Sequence, residues 1–178
     1  MIISLALLGY GASGTFLSLL TRYRTPPYGH FFIVNSLLFA FGSVLFFQLA
    51  RMLPLNPMEM AWDWRQLAYF AILYLLLALP FFTVANAIGM TFWCFPSLIN
   101  RVYAADLAGA GVGTVLVLLL LLFWLPDAAL RFVAVGAILA ALFAVTQLGK
   151  HERPYIFAFC ALTLPGVLLA PAGWISAP

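Results

Sequence analysis

Leu67–Phe95 reads LAYFAILYLLLALPFFTVANAIGMTFWCF, 29 residues without one charged side chain. A bilayer core about 30 Å thick is crossed by roughly 20 residues of helix. This stretch is longer than one perpendicular crossing and too short for two crossings with a turn. Pro80 stands near its middle, where it removes a backbone donor and crowds the preceding turn. The stretch therefore reads as one tilted or kinked membrane helix. Pro96 ends it.

The same pattern continues on both sides. Apolar runs cover about 2–20 and 31–50 before it, and about 102–125, 129–148 and 155–175 after it. Six crossings use about 120 residues, which leaves only short loops in a chain of 178. The expected fold is all-α: a polytopic membrane bundle of about six helices in a single transmembrane domain. The last run holds Pro165, Pro171 and Gly173 and is the weakest span. If it does not cross, five spans remain.

Composition agrees. Hydrophobic residues make up 66% of the chain and charged residues 7%, against about half and a quarter in a soluble domain. Eight basic and five acidic residues make 13 charges, too few to coat a surface in water. The basic residues stand singly or in pairs beside apolar runs, as topology signals do, so the net charge of +3 does not indicate nucleic acid. The first run has no basic residue before it and carries Arg22 and Arg24 after it, so it reads as a membrane helix rather than a signal peptide.

The polar loop 51–65 holds Pro54, Pro57, Glu59, Trp62, Asp63 and Trp64. Two tryptophans beside charges suit the headgroup layer, and a short interfacial helix is expected after Pro57. With the N-terminus outside, the inner loops hold Arg22, Arg24, Arg101, Lys150 and Arg153, and the outer loops hold Arg51, Arg65 and Arg131. Five against three favours that orientation. The expected location is a membrane crossed several times, and the lipid bilayer is the expected surrounding.

Few residues could carry chemistry. Asp106 is the only acidic residue inside an apolar run. A carboxylate there has a partner or a job. It reads either as an ion or proton site, or as a group paired to Arg101 or to a neighbouring helix. With the span starting at Val102, it lies about 6 Å deep. Gly109, Gly111 and Gly113 follow, but a nucleotide loop needs a strand before them and an amphipathic helix after them. Here they run into an apolar helix, so Gly109 and Gly113 read as a GxxxG packing face. Gly9, Gly11 and Gly14, with Ser13, form a similar small-residue face in the first run. Asn35 and Asn86 could line a cavity or make one interhelical hydrogen bond each. His30 and His151 lie in or beside loops, and Cys94 and Cys160 belong to no ligand cluster. No metal, cofactor or catalytic residue set is expected.

Four stretches carry a resemblance. They are Ser4-Leu-Ala-Leu-Leu-Gly-Tyr-Gly-Ala-Ser-Gly-Thr15; Leu53-Pro-Leu-Asn-Pro57 with Ala61-Trp-Asp-Trp-Arg-Gln-Leu67; Tyr74-Leu-Leu-Leu-Ala-Leu-Pro-Phe-Phe82 with Ala87-Ile-Gly89; and Arg101-Val-Tyr-Ala-Ala-Asp-Leu-Ala-Gly-Ala-Gly111. In this order they resemble the membrane domain of bacterial proteins that fuse a multi-helix membrane region to a spermidine-synthase-like, aminopropyltransferase-like domain. The last 60 residues match only in hydrophobicity. The resemblance implies that aminopropyl transfer belongs to a soluble C-terminal domain, and none of the five acidic residues here matches a catalytic position. The chain is then expected to be a piece of a longer protein or a stand-alone relative, with no catalysis of its own. The resemblance also implies a bacterial inner membrane as the location, and the leading expectation is a membrane anchor or scaffold, partnered by a larger membrane complex or by the missing C-terminal soluble domain. One alternative is a small transporter or channel using Asp106, Asn35, Asn86 and the Pro80 kink. The other is an accessory subunit of a respiratory or photosynthetic complex.

Overall fold

In the computed structural model, the described residues are 2–23, 27–60, 62–124 and 126–146. They form five helices long and apolar enough to cross a membrane. These are α1 (Ile2–Tyr23), α2 (Tyr28–Met52), α3 (Trp64–Cys94), α4 (Ile99–Phe123) and α5 (Pro126–Val145). No strand occurs among the described residues. The chain is an all-α helix bundle of multi-pass membrane type. The sixth expected span, 155–175, lies outside the described residues.

The helix boundaries follow local chemistry. Pro27 precedes α2 with an extended backbone. Asp63 opens α3 by accepting a hydrogen bond from the Arg65 backbone N–H at 3.0 Å, which satisfies one of the helix's orphan donors. Pro96 begins a single 3-10 turn, Pro96–Leu98, that redirects the chain into α4. Pro80 does not break α3, which runs through it for 31 residues. The Leu76 carbonyl loses its usual partner four residues on, because proline has no N–H. At about 1.5 Å per residue, α3 is roughly 46 Å long and spans a bilayer core only when tilted.

The short helix expected after Pro57 is a 3-10 turn, Pro57–Glu59. Asn56 organises it: its side chain accepts from the Met58 N–H at 3.2 Å and donates to Glu59 at 2.9 Å. Its own backbone N–H donates to the side chain of Gln66, also at 2.9 Å. Gln66 is buried at the start of α3, so this bond pins the loop to the bundle. Replacing Gln66 with Ala orphans the Asn56 N–H and is expected to cost about 1 kcal/mol, measured as earlier unfolding in detergent with the helices retained. Trp62 and Trp64 are exposed, as headgroup-layer residues would be.

α3 packs on both α1 and α2, and α2 also packs on α5. The bundle is therefore ordered α1–α3–α2–α5. α1 and α3 run parallel, because Gly9 meets Phe81, Ser13 bonds Asn86, and Leu17 meets Gly89. α2 runs against α3: Tyr28, at the start of α2, meets Thr91 and Phe95 at the far end of α3. These are the directions that alternate crossing demands. The α2–α5 seam holds Ile33, Leu37, Ala40 and Val44 against Ala134, Ile138, Ala141 and Val145. Both sets are spaced four, three and four residues apart, the knobs-into-holes rhythm of a left-handed helix pair. α4 makes sparse contacts with α5 and α3, and none of its residues is buried.

Candidate functional site

The intramembrane polar residues are the candidates, and the structure disperses them. Asn86 on α3 is 2% exposed. Its side-chain oxygen accepts from the Ser13 hydroxyl of α1 at 2.7 Å. The bond sits one turn along α1 from Gly9, which lies close against the Phe81–Phe82 backbone of α3. Asn35 is buried on α2 and donates to the Phe31 carbonyl of its own helix at 2.9 Å. It back-bonds locally, as short polar side chains do in helices, and does not join helices. No hydrogen bond links Asn35, Asn86 and Asp106 to one another among the described residues.

Asp106 and Arg101 are both exposed on α4. Five residues separate them, so their side chains leave the helix about 140° apart. That geometry, rather than distance along the chain, works against an Arg101–Asp106 pair. α4 starts at Ile99 rather than Val102, so Asp106 lies about 10 Å along the helix rather than the roughly 6 Å expected from a start at Val102. Asp106 is within electrostatic reach of Tyr10 on α1, a neighbour that no sequence pattern singled out.

The glycines divide. A Cβ on Gly9 would lie 2.6 Å from the Phe81 Cβ and 2.9 Å from the Phe82 backbone nitrogen. Gly9 is therefore a true close-approach position, of the kind that lets membrane helices touch. The other expected packing glycines differ. Gly11, Gly14, Gly109 and Gly113 have nothing within 4 Å of an added Cβ. Gly11 and Gly14 do not share the close contact that Gly9 makes with α3, and α4 carries Gly109 and Gly113 on a helix with little packed against it. Gly89, which the small-residue reading passed over, seats the Leu17 side chain.

A second polar link was not visible in sequence. The Tyr28 and Thr91 hydroxyls lie 3.2 Å apart. Thr91 already donates its single proton to the Ala87 carbonyl at 2.8 Å, so Tyr28 is the donor. Tyr28 also meets Phe95 edge-to-face, with centroids 5.0 Å apart. Its position six residues past Arg22 reads as loop chemistry, and only the α2–α3 packing gives it a role. Tyr28→Phe keeps the ring contact and removes the bond. It is expected to cost about 0.6 kcal/mol, seen as a small fall in unfolding midpoint.

Between the C-terminal halves of α1 and α3 lies an open groove of about 460 Å³, within the range of small-molecule sites. Gly14 and Gly89 lie along it, with Leu17 and Trp93 as walls and Arg22 at one end. No group of three or more His, Cys, Asp or Glu able to hold a metal occurs among the described residues. Compared with known proteins, the chain matches no family model, no curated protein and no solved structure.

Proposed function

We propose that the chain is a non-catalytic membrane anchor or scaffold, the role implied by its resemblance to the membrane domain of spermidine-synthase-like proteins. One observation carries the reading. Asn86, the best-buried amide among the described residues, is occupied in holding α1 to α3 through Ser13, and Tyr28 with Thr91 holds α2 to α3 in the same manner. Polar groups in a bilayer are expensive, and here they act as interhelical fasteners. A transport path would instead present such groups to a cavity. The broad unpartnered surface of α4 is where such a scaffold would meet a larger complex or a soluble domain.

The fastener role has a direct test. Ser13→Ala and Asn86→Leu, alone and combined, form a double-mutant cycle on unfolding in detergent. A coupling energy of about 0.6 kcal/mol, up to about 1.7, is expected, with no change in any solute flux. The anchor reading also expects a partner to co-purify from native membranes in mild detergent. A partner-free monomer, together with Asp106→Asn abolishing uptake in a protein that still folds, would overturn it in favour of transport.

A further inference from the structure

We infer that the groove between α1 and α3 is a binding site for one anionic phospholipid, with the headgroup phosphate at Arg22 and an acyl chain lying along Gly14 and Gly89. This goes beyond the anchor reading and does not depend on it.

The groove is built as an amphiphile would require. Gly14 and Arg22 are eight residues apart on α1, about 12 Å along the helix. The groove therefore runs from within an apolar span to its cationic end. At the inner end Gly14 omits a side chain, and a Cβ there would meet nothing within 4 Å, while the space over Gly89 is taken by the Leu17 side chain, which becomes part of the apolar floor. Leu17 and Trp93 supply apolar walls. Trp93 is 60% exposed and lies in the last turn of α3, where an amphipathic ring sits at headgroup depth. The outer end offers the Arg22 guanidinium and the Ser18 hydroxyl as donors. Thr21 is not a third donor, because its hydroxyl is committed to the Leu17 carbonyl at 2.8 Å.

Charge selects the headgroup. The helix directions place Arg22 and Arg101 at the same end of the bundle, while Glu59 and Asp63 lie in the loop at the other end. Asp106 is at the cationic end but on α4, which contributes nothing to the groove. A phosphodiester with no balancing cation fits an arginine fork better than a zwitterionic headgroup does. Each juxtamembrane cation also adds to the attraction of anionic lipid. Free phosphate shares the headgroup chemistry, but it would leave the apolar length of the groove unfilled.

The test is native mass spectrometry of the whole chain in detergent, titrated with phosphatidylglycerol or phosphatidylcholine. One tightly bound phosphatidylglycerol per chain is expected, in preference to phosphatidylcholine. Arg22→Gln is expected to weaken it about fivefold. Gly14→Leu places a side chain in the groove from a position where its first carbon meets nothing within 4 Å, and is expected to abolish the tight site, with circular dichroism unchanged. Arg65→Gln, at the opposite end, is expected to leave it intact. Equal losses in Arg22→Gln and Arg65→Gln would mean general attraction to a cationic protein and would overturn the site. So would binding that survives Gly14→Leu. Displacement of phosphatidylglycerol by millimolar inorganic phosphate would overturn the lipid assignment in favour of a free anion.

Discussion

Gly9→Leu is expected to be the most damaging single substitution in the described bundle, costing about 3 kcal/mol or more in detergent unfolding. The reason is backbone, not side chain. Even the first carbon of a new side chain would lie 2.9 Å from the Phe82 nitrogen and 2.6 Å from the Phe81 Cβ, and neither atom can swing aside as a side-chain tip would. Overpacking a well-packed interface ordinarily costs about 1–3 kcal/mol, because rotamers and backbone must shift. Here the shift must separate α1 from α3, which also stretches the Ser13–Asn86 bond one turn away and the Phe16–Phe82 edge contact at 5.5 Å. Gly11→Leu is the control. It lies two residues along the same helix, faces open space, and is expected to change stability by less than about 0.5 kcal/mol. Thermal unfolding in a mild detergent separates the two. Similar midpoints for both variants would mean that α1 does not pack on α3 through Gly9.

That contrast shows what was legible in the sequence. The number and place of the first five helices were readable because bilayer thickness imposes a length on each apolar run, and Pro96 marks its stop without reference to anything else in the fold. The small-residue face of α1 was readable too, but not which member touches a neighbour. Gly9, Gly11 and Gly14 look equivalent until α3 is placed, because a helix that is apolar all round carries little directional signal. α4 is the extreme case, with Gly109 and Gly113 spaced for packing and nothing close to either. Asn86 was readable as a residue with a partner. Ser13 as that partner was not, since the two are 73 positions apart. Tyr28, Gln66 and the Arg22 groove went unseen for the same reason: each acquires its role from two elements brought together.

Ile138→Ala should produce the second largest loss, and its size reports on the solvent. Ile138 is fully buried in the α2–α5 seam. In a water-soluble core, truncating an aliphatic residue to Ala costs about 2–5 kcal/mol, part transfer and part cavity. In a bilayer the separated helices keep their side chains among hydrocarbon tails, so the transfer part largely vanishes. What remains is the dispersion lost around the cavity. The expected cost is therefore at the low end, about 2 kcal/mol. Leu139, the next residue, is 48% exposed, and Leu139→Ala is expected to cost less than about 0.5 kcal/mol. Reversal of that order would mean that α5 presents a different face to α2. The seam shares no residue with the α1–α3 contact, so Ile138→Ala and Gly9→Leu should add to within about 0.5 kcal/mol. Strong non-additivity would show that the α2–α3 interface between them transmits strain, and that the four packed helices yield as one body rather than as two independent contacts.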